Sequence, residues 1–125
     1  MESWFAATVE EIRGARRWVA DRMADAGCDA DAIDSAALVT SELTANVVRH
    51  TRSDRIGVRV SFDGNTVHIE VIDCDPNAGT PKVSAQDHSA DRGRGLRIVE
   101  GLARRWGFED RGDQRAVWAD VACTS

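Results

Sequence analysis

The sequence predicts an α+β fold: a two-layer α/β sandwich with a mostly antiparallel sheet and its helices gathered on one face. Three observations predict it. Two stretches with helical apolar spacing come early, and a strand–turn–strand pattern follows them. The chain then closes on one more helix and two more strands. Strands joined by tight turns pair antiparallel, which leaves the helices to cover one side of the sheet. A length of 125 residues with 42% apolar and 30% charged residues suits one domain with one core, expected to span 1–125.

The elements follow in order. "SWFAAT" at 3–8 reads as a short edge strand. Val9, Ile12, Val19 and Met23 recur at helical spacing, which predicts an amphipathic helix over about 9–26 with Gly27 as its stop. "CDADAID" offers Asp29 or Asp31 as the cap of a second helix over about 31–50, with an apolar stripe of Ile33, Ala36, Ala37, Thr40, Leu43 and Val47. "IGVRVSF" at 56–62 alternates apolar and polar residues, "DGN" at 63–65 is a hairpin turn, and "TVHIEVID" at 66–73 is the returning strand. Residues 74–95 show no clear period and contain both prolines, Pro76 and Pro81. A stretch of that length inside a compact domain is read as functional or mobile. "LRIVEGLARRW" at 96–106 reads as helix, and "GFED" and "RAVWADVA" as strands with "RGD" turning between them.

Charge and composition exclude several classes. The net charge of -5 repels a phosphate backbone, so direct nucleic-acid binding is not expected. No apolar run approaches the roughly 18 residues that a membrane span needs, and the N-terminus carries no secretory pattern, so the expected compartment is the cytoplasm with no membrane partner. Lys82 is the sole lysine and every other basic residue is Arg, a skew like that of high-GC bacterial coding. Cys28, Cys74 and Cys123 match neither zinc spacing nor a Cys-x-x-Cys pattern and read as small, buried or half-buried thiols.

Three groups of residues carry chemistry. Glu42, Asn46 and His50 in "SELTANVVRH" lie four apart, so they form one polar row on the second helix, with Arg49 beside it. A carboxamide oxygen suits a hard cation, and a carboxylate beside it can orient a hydroxyl or water. Asp73 closes an apolar strand, where its carboxylate can accept from an amino group on a ligand ring. Gly93 and Gly95 read as preceding a helix, with Arg92 and Arg94 adding charge, and backbone N–H groups at a helix start attract phosphate.

"SELTANVVRH", "VIDCDP", "GRGLRIVEGLARRWG" and "AVWADV", in that order and at that spacing, resemble the motifs of the GHKL (Bergerat-fold) ATPase superfamily. "GARRWVADRMADAG" is similar to the family's first helix, so the resemblance covers nearly the whole chain. More narrowly, the chain resembles the bacterial anti-sigma-factor serine/threonine kinases of actinobacterial type. The resemblance implies the Bergerat ATP-binding fold, with ATP and Mg²⁺ as cofactors. It implies Asn46 as the Mg²⁺ ligand, Glu42 as the general base toward a serine of a protein substrate, and Asp73 as the acceptor for the adenine amino group. It implies Arg92, Gly93, Arg94, Gly95 and Leu96 around the phosphates, with a lid over 77–94. The implied partners are a sigma factor and an anti-sigma antagonist that compete for the protein, and a homodimer is a further possibility. Arg16, Arg17, Arg49, Arg52 and Arg55 are candidates for a partner surface.

The chain departs from the family's pattern at two places. Asp75 stands where the superfamily usually has Gly, and Arg115 with Ala116 stands where a Lys-Thr pair is common. These departures point to the alternative, a non-catalytic protein-binding regulatory module of the same fold with weak or no ATP binding. The catalytic piece of a histidine kinase is less expected, since no phosphoacceptor helix precedes the domain.

Overall fold

The computed structural model describes residues 1–74 and 90–124, the side chains of 90–94 excepted. The elements run β1 (Glu2–Ala6), α1 (Val9–Asp25), α2 (Ala30–His50), β2 (Arg55–Asp63), β3 (Thr66–Asp73), α3 (Ala90–Leu102), β4 (Arg105–Asp110) and β5 (Arg115–Ala122). The sheet has the order β1-β2-β3-β5-β4, and every neighbouring pair is antiparallel. This is the expected α+β sandwich. Alternate residues of the strands, among them Val58, Val60, Ile69, Val71, Ala119 and Val121, are buried in one cluster with Val19, Met23, Leu43 and Val99 of the helices.

The helices show why this order folds. In α1, Glu10 and Glu11 occupy the first turn, where negative charge complements the helix dipole, and Ala15, Val19 and Met23 form the buried stripe. Val9, expected in that stripe, is 70% exposed because the buried stripe begins only at Ala15. α2 is capped by Asp29, whose carboxylate accepts from the N–H of Ala32 at 2.8 Å. Its buried face includes Ala36, Val39, Thr40, Leu43, Thr44 and Val47, whereas Ile33 and Ala37 are only half-buried. Thr40 and Thr44 can face the core because their hydroxyls donate to the carbonyls of Ala36 and Thr40, at 2.8 and 2.7 Å. Between β2 and β3, Asp63 pairs with Thr66 across a two-residue turn, and Gly64 takes the positive φ of 58° that such a turn requires at its first position.

Two expectations are corrected here. α3 begins at Ala90 rather than 96, so Gly93 and Gly95 lie within the helix and do not precede it. α3 packs on α2, and tertiary contact outweighs the low helix propensity of two glycines. The helix also ends at Leu102, and Arg105 and Trp106 belong to β4.

The second correction concerns the thiols. Cys28 and Cys123 are joined as a disulfide with their Cα atoms 4.6 Å apart, while Cys74 is free and half-buried. The bridge ties the chain just before the α2 cap to the end of β5, where the N–H of Asp29 also donates to the carbonyl of Cys123 at 3.0 Å. The two cysteines stand 95 residues apart in sequence, a separation that hides their proximity. Bridges of this kind persist in oxidising surroundings and are reduced in a thiol-buffered cytoplasm. Alkylation of unreduced protein is expected to label Cys74 and spare the other two, and all three should react after reduction, as read by mass spectrometry. Labelling of all three without reductant would show that the pair exists as thiols.

The sheet face away from the helices carries a continuous charge network. Arg59 bridges Glu2 and Glu70, Arg111 bridges Glu70 and Glu109, and His68 lies between Glu70 and Asp120. Burial pushes the Glu70 carboxyl up, but hydrogen bonds from Arg111 and His68 outweigh it and hold the pKa below the ordinary carboxylate value.

Candidate functional site

The polar row of α2 leads to a cavity between that helix and the sheet. Leu43, Asn46 and Val47 of α2, Thr51 just after it, Asp73 of β3, Phe108 of β4, and Arg115 and Val117 of β5 line it. Its walls are apolar except at Asn46, Thr51, Asp73 and Arg115. The cavity is about 20 Å³, room for about one water molecule.

Strand alternation brings Asp73 to this place. Val67, Ile69 and Val71 point toward the helices, and Asp73 continues on that face at the strand end, only 4% exposed. The chain just beyond it is held by Ser53, whose hydroxyl accepts from the N–H of Cys74 at 3.0 Å and donates to the carbonyl of Arg55. Ser53 is itself positioned by Thr51, whose hydroxyl accepts from the Ser53 N–H at 3.2 Å and donates to the carbonyl of Val47 at 2.8 Å. The turn out of α2 is thus hydrogen-bonded to the end of β3.

Directly across the β3–β5 ladder from Asp73 stands Arg115, 8% exposed, with its Nη2 donating to Oδ1 of Asp73 at 3.4 Å. Ala116, the next residue, points to the other face and does not line the cavity. The position facing the cavity beside Asp73 is therefore 115, one residue earlier than the hydroxyl-bearing position of the family's pattern.

The third motif meets the first at Gly95. A Cβ built there would stand 2.8 Å from Oε2 of Glu42 and 3.7 Å from Oδ1 of Asn46. A side chain at 95 would push the Glu42 carboxylate aside, so the glycine lets α3 and the polar row meet as they are. Glu42 is half-buried at this crossing, next to the cavity but not lining it.

Asn46 and Asp73 thus share one cavity, and Glu42 and Gly95 adjoin it. Leu96 is half-buried and does not line it. Gly93 lies in the first turn of α3, and the side chains of Arg92 and Arg94 lie outside the described residues, as do Asp75, Lys82 and the 77–89 part of the expected lid, whereas its 90–94 part is the start of α3. His50, the last residue of α2, is half-buried and makes other contacts. Arg49, Arg52 and Arg55 are exposed, and the Arg55 guanidinium lies 5.0 Å from the centre of the Trp4 ring. Sequence reasoning missed Ser53 and Phe108, and noted Arg115 only as a departure from a pattern. Counting the alternation of "RAVWADVA" against that of "TVHIEVID" was the available signal for Arg115.

A cation has few protein ligands here. Among the described residues no cluster of three or more His, Cys, Asp or Glu side chains could hold a metal, so an ion at Asn46 would rely on a bound ligand and water for most of its oxygens. Among the described residues, no helix is long and apolar enough to cross a membrane.

A family model described as a histidine kinase-like ATPase domain matches residues 5–120. Among solved structures, the chain is similar to the RsbU and RsbW domains of Rv1364c from Mycobacterium tuberculosis, with a TM-score of 0.72 at 20% identity, over 97% of this chain and 31% of that one. It is also similar to the Acinetobacter baumannii histidine kinase AdeS, with a TM-score of 0.56 at 14% identity, over 98% of this chain and 68% of that one. At these identities the likeness is one of fold. The chain spans about a third of the mycobacterial chain it matches. No curated protein matches it significantly.

Proposed function

Because the chain belongs to the family of histidine kinase-like ATPase domains, we propose that it is an ATP-binding anti-sigma factor and protein serine/threonine kinase that regulates transcription by partner switching. The observation that carries this reading is the convergence of three motifs distant in sequence. Asn46 and Asp73 line one cavity with Leu43, Val47, Phe108 and Val117, and Gly95 brings α3 against Glu42 and Asn46.

The residues fit the cofactors in chemistry. A buried carboxylate between Val47, Phe108 and Val117 suits a planar base that presents an amino group. The carboxamide oxygen of Asn46 suits Mg²⁺, which keeps most of its ligands as water and phosphate oxygens. When bound, Mg-ATP supplies the phosphoryl group and neutralises its charge. In this reading Asp73 orients the base, Asn46 holds the cation, and Glu42 orients a serine hydroxyl of the antagonist and takes its proton. Gly93 and Gly95, with Arg92, Arg94 and Leu96, serve the phosphates from α3.

The proposed partners are a sigma factor and its antagonist, with a homodimer as a further assembly, in the cytoplasm. The Arg-rich composition accords with actinobacterial members of the family. Exposed Arg49 and Arg52 stand at and just after the C-terminal end of α2, either side of the cavity residue Thr51 in sequence, and suit carboxylates on a partner. The double variant Arg49→Glu, Arg52→Glu is expected to capture a sigma factor or antagonist at least about tenfold more weakly, as losing two interfacial charges costs, with ATP affinity unchanged by calorimetry. Equal capture by both proteins would place the interface elsewhere.

One observation favours the second reading, a non-catalytic regulatory module. Arg115 already contacts Asp73 inside a cavity with room for about one water molecule. Partner capture with no ATP binding at millimolar concentration would select that reading.

A further inference from the structure

We propose that Arg115 sets the nucleotide affinity of this chain by competing with the base for Asp73, and that Asp110 receives Arg115 when the base enters. The proposal rests on the reading of the cavity as a base site.

The register makes the competition unavoidable. Asp73, Arg115 and Asp110 stand opposite one another on β3, β5 and β4, so their side chains leave the sheet on the same face. The Arg115 guanidinium donates to Oδ1 of Asp73, and both side chains are buried. A guanidinium is planar and edged with N–H donors, the same features that an aminopurine presents to a carboxylate. Leu43, Val47, Phe108 and Val117 line the same cavity as Asp73 and Arg115, so a base that reaches the Asp73 carboxylate meets the guanidinium already bonded to it.

Displacing a buried guanidinium is costly unless it finds another acceptor. Asp110 is in position to be that acceptor. It is exposed at the end of β4, across the ladder from Arg115, and its Oδ1 accepts from the N–H of Gly112 at 3.1 Å. A carboxylate has acceptor capacity beyond that one bond. Arg115 can therefore turn from Asp73 on one side to Asp110 on the other, from the cavity toward solvent, without losing a charged partner. The rest of the site, Asn46 on α2 and Gly95 on α3, need not move for this exchange.

The test compares Mg-ATP binding by calorimetry in wild type, Arg115→Met and Asp110→Asn, with thermal melts on and off ligand. Arg115→Met keeps the length of the stem and removes the donors. It should bind ATP about tenfold more tightly, since the competitor has lost a charge-assisted hydrogen bond, and its melting temperature should rise further on adding ATP than that of wild type. Asp110→Asn keeps an acceptor for Gly112 but withdraws the charge that receives Arg115, so it should bind ATP more weakly. Ligand-free melts show whether Arg115→Met folds. If it does not, Arg115→Lys replaces it, with a smaller gain expected because a point charge matches the carboxylate less well than the planar fork. ATP binding in wild type that is unchanged or weakened in the Arg115 variant overturns the proposal and leaves the base-site reading standing. No ATP binding by wild type or either variant overturns the base-site reading, and the proposal with it.

Discussion

Asp73→Asn is expected to lower ATP affinity roughly ten- to a hundredfold, the loss of one hydrogen bond to a charged acceptor, worth about 1.5–3 kcal/mol. The side chain is 4% exposed and is, among the described residues, the only carboxylate lining the cavity, so no second carboxylate there takes over its role. A carboxamide of the same size keeps the packing and reverses the pattern at one of its two positions, where an N–H₂ would meet the amino group of adenine. Discrimination against GTP should fall along with ATP affinity. Titration of both nucleotides into wild type and variant reads both effects. Equal affinity for ATP and GTP, untouched by the substitution, would remove Asp73 from base recognition. The substitution also leaves the Arg115 guanidinium facing a neutral group, so a modest loss of melting temperature without ligand should accompany it.

Glu42→Gln is expected to leave Mg-ATP binding nearly intact and to lower phosphoryl transfer by about 10²–10⁴, the range for losing a general base. Glu42 does not line the base cavity, which is why binding should survive. It lies where α3 crosses α2 at Gly95, beside the Asn46 oxygen, which places a proton acceptor next to the proposed cation ligand. The isosteric amide keeps the close packing against Gly95. The readout is labelled phosphate carried to a serine of a candidate antagonist. Full transfer by the variant would take Glu42 out of the chemistry, and lost ATP binding would make it a ligand-holding residue.

Much of the fold was legible because its signals are local. The alternation in "IGVRVSF" and "TVHIEVID" around "DGN", and the stripe of Val19 and Met23, are repeated within a few residues of themselves. Asp29 was readable as one of two caps because capping acts over three residues, and the structure selects it over Asp31. The polar row of Glu42 and Asn46 was readable for the same reason, since helical geometry alone stacks residues four apart.

What the sequence by itself determined is the order of the elements, most of the buried stripes of α1 and α2, and the family of histidine kinase-like ATPase domains to which the chain belongs. Tertiary structure decided the rest. The start of α3 follows from packing on α2, which overrode two glycines that read locally as a break. The Cys28–Cys123 bridge joins residues 95 positions apart, and no local pattern reports which distant thiols meet. Arg115 faces Asp73, and Ala116 does not, because the register of β5 on β3 assigns one residue to each face, and a shift of one residue would exchange them. Register is a property of two strands brought together by the whole fold, so neither strand's sequence, read alone, contains it.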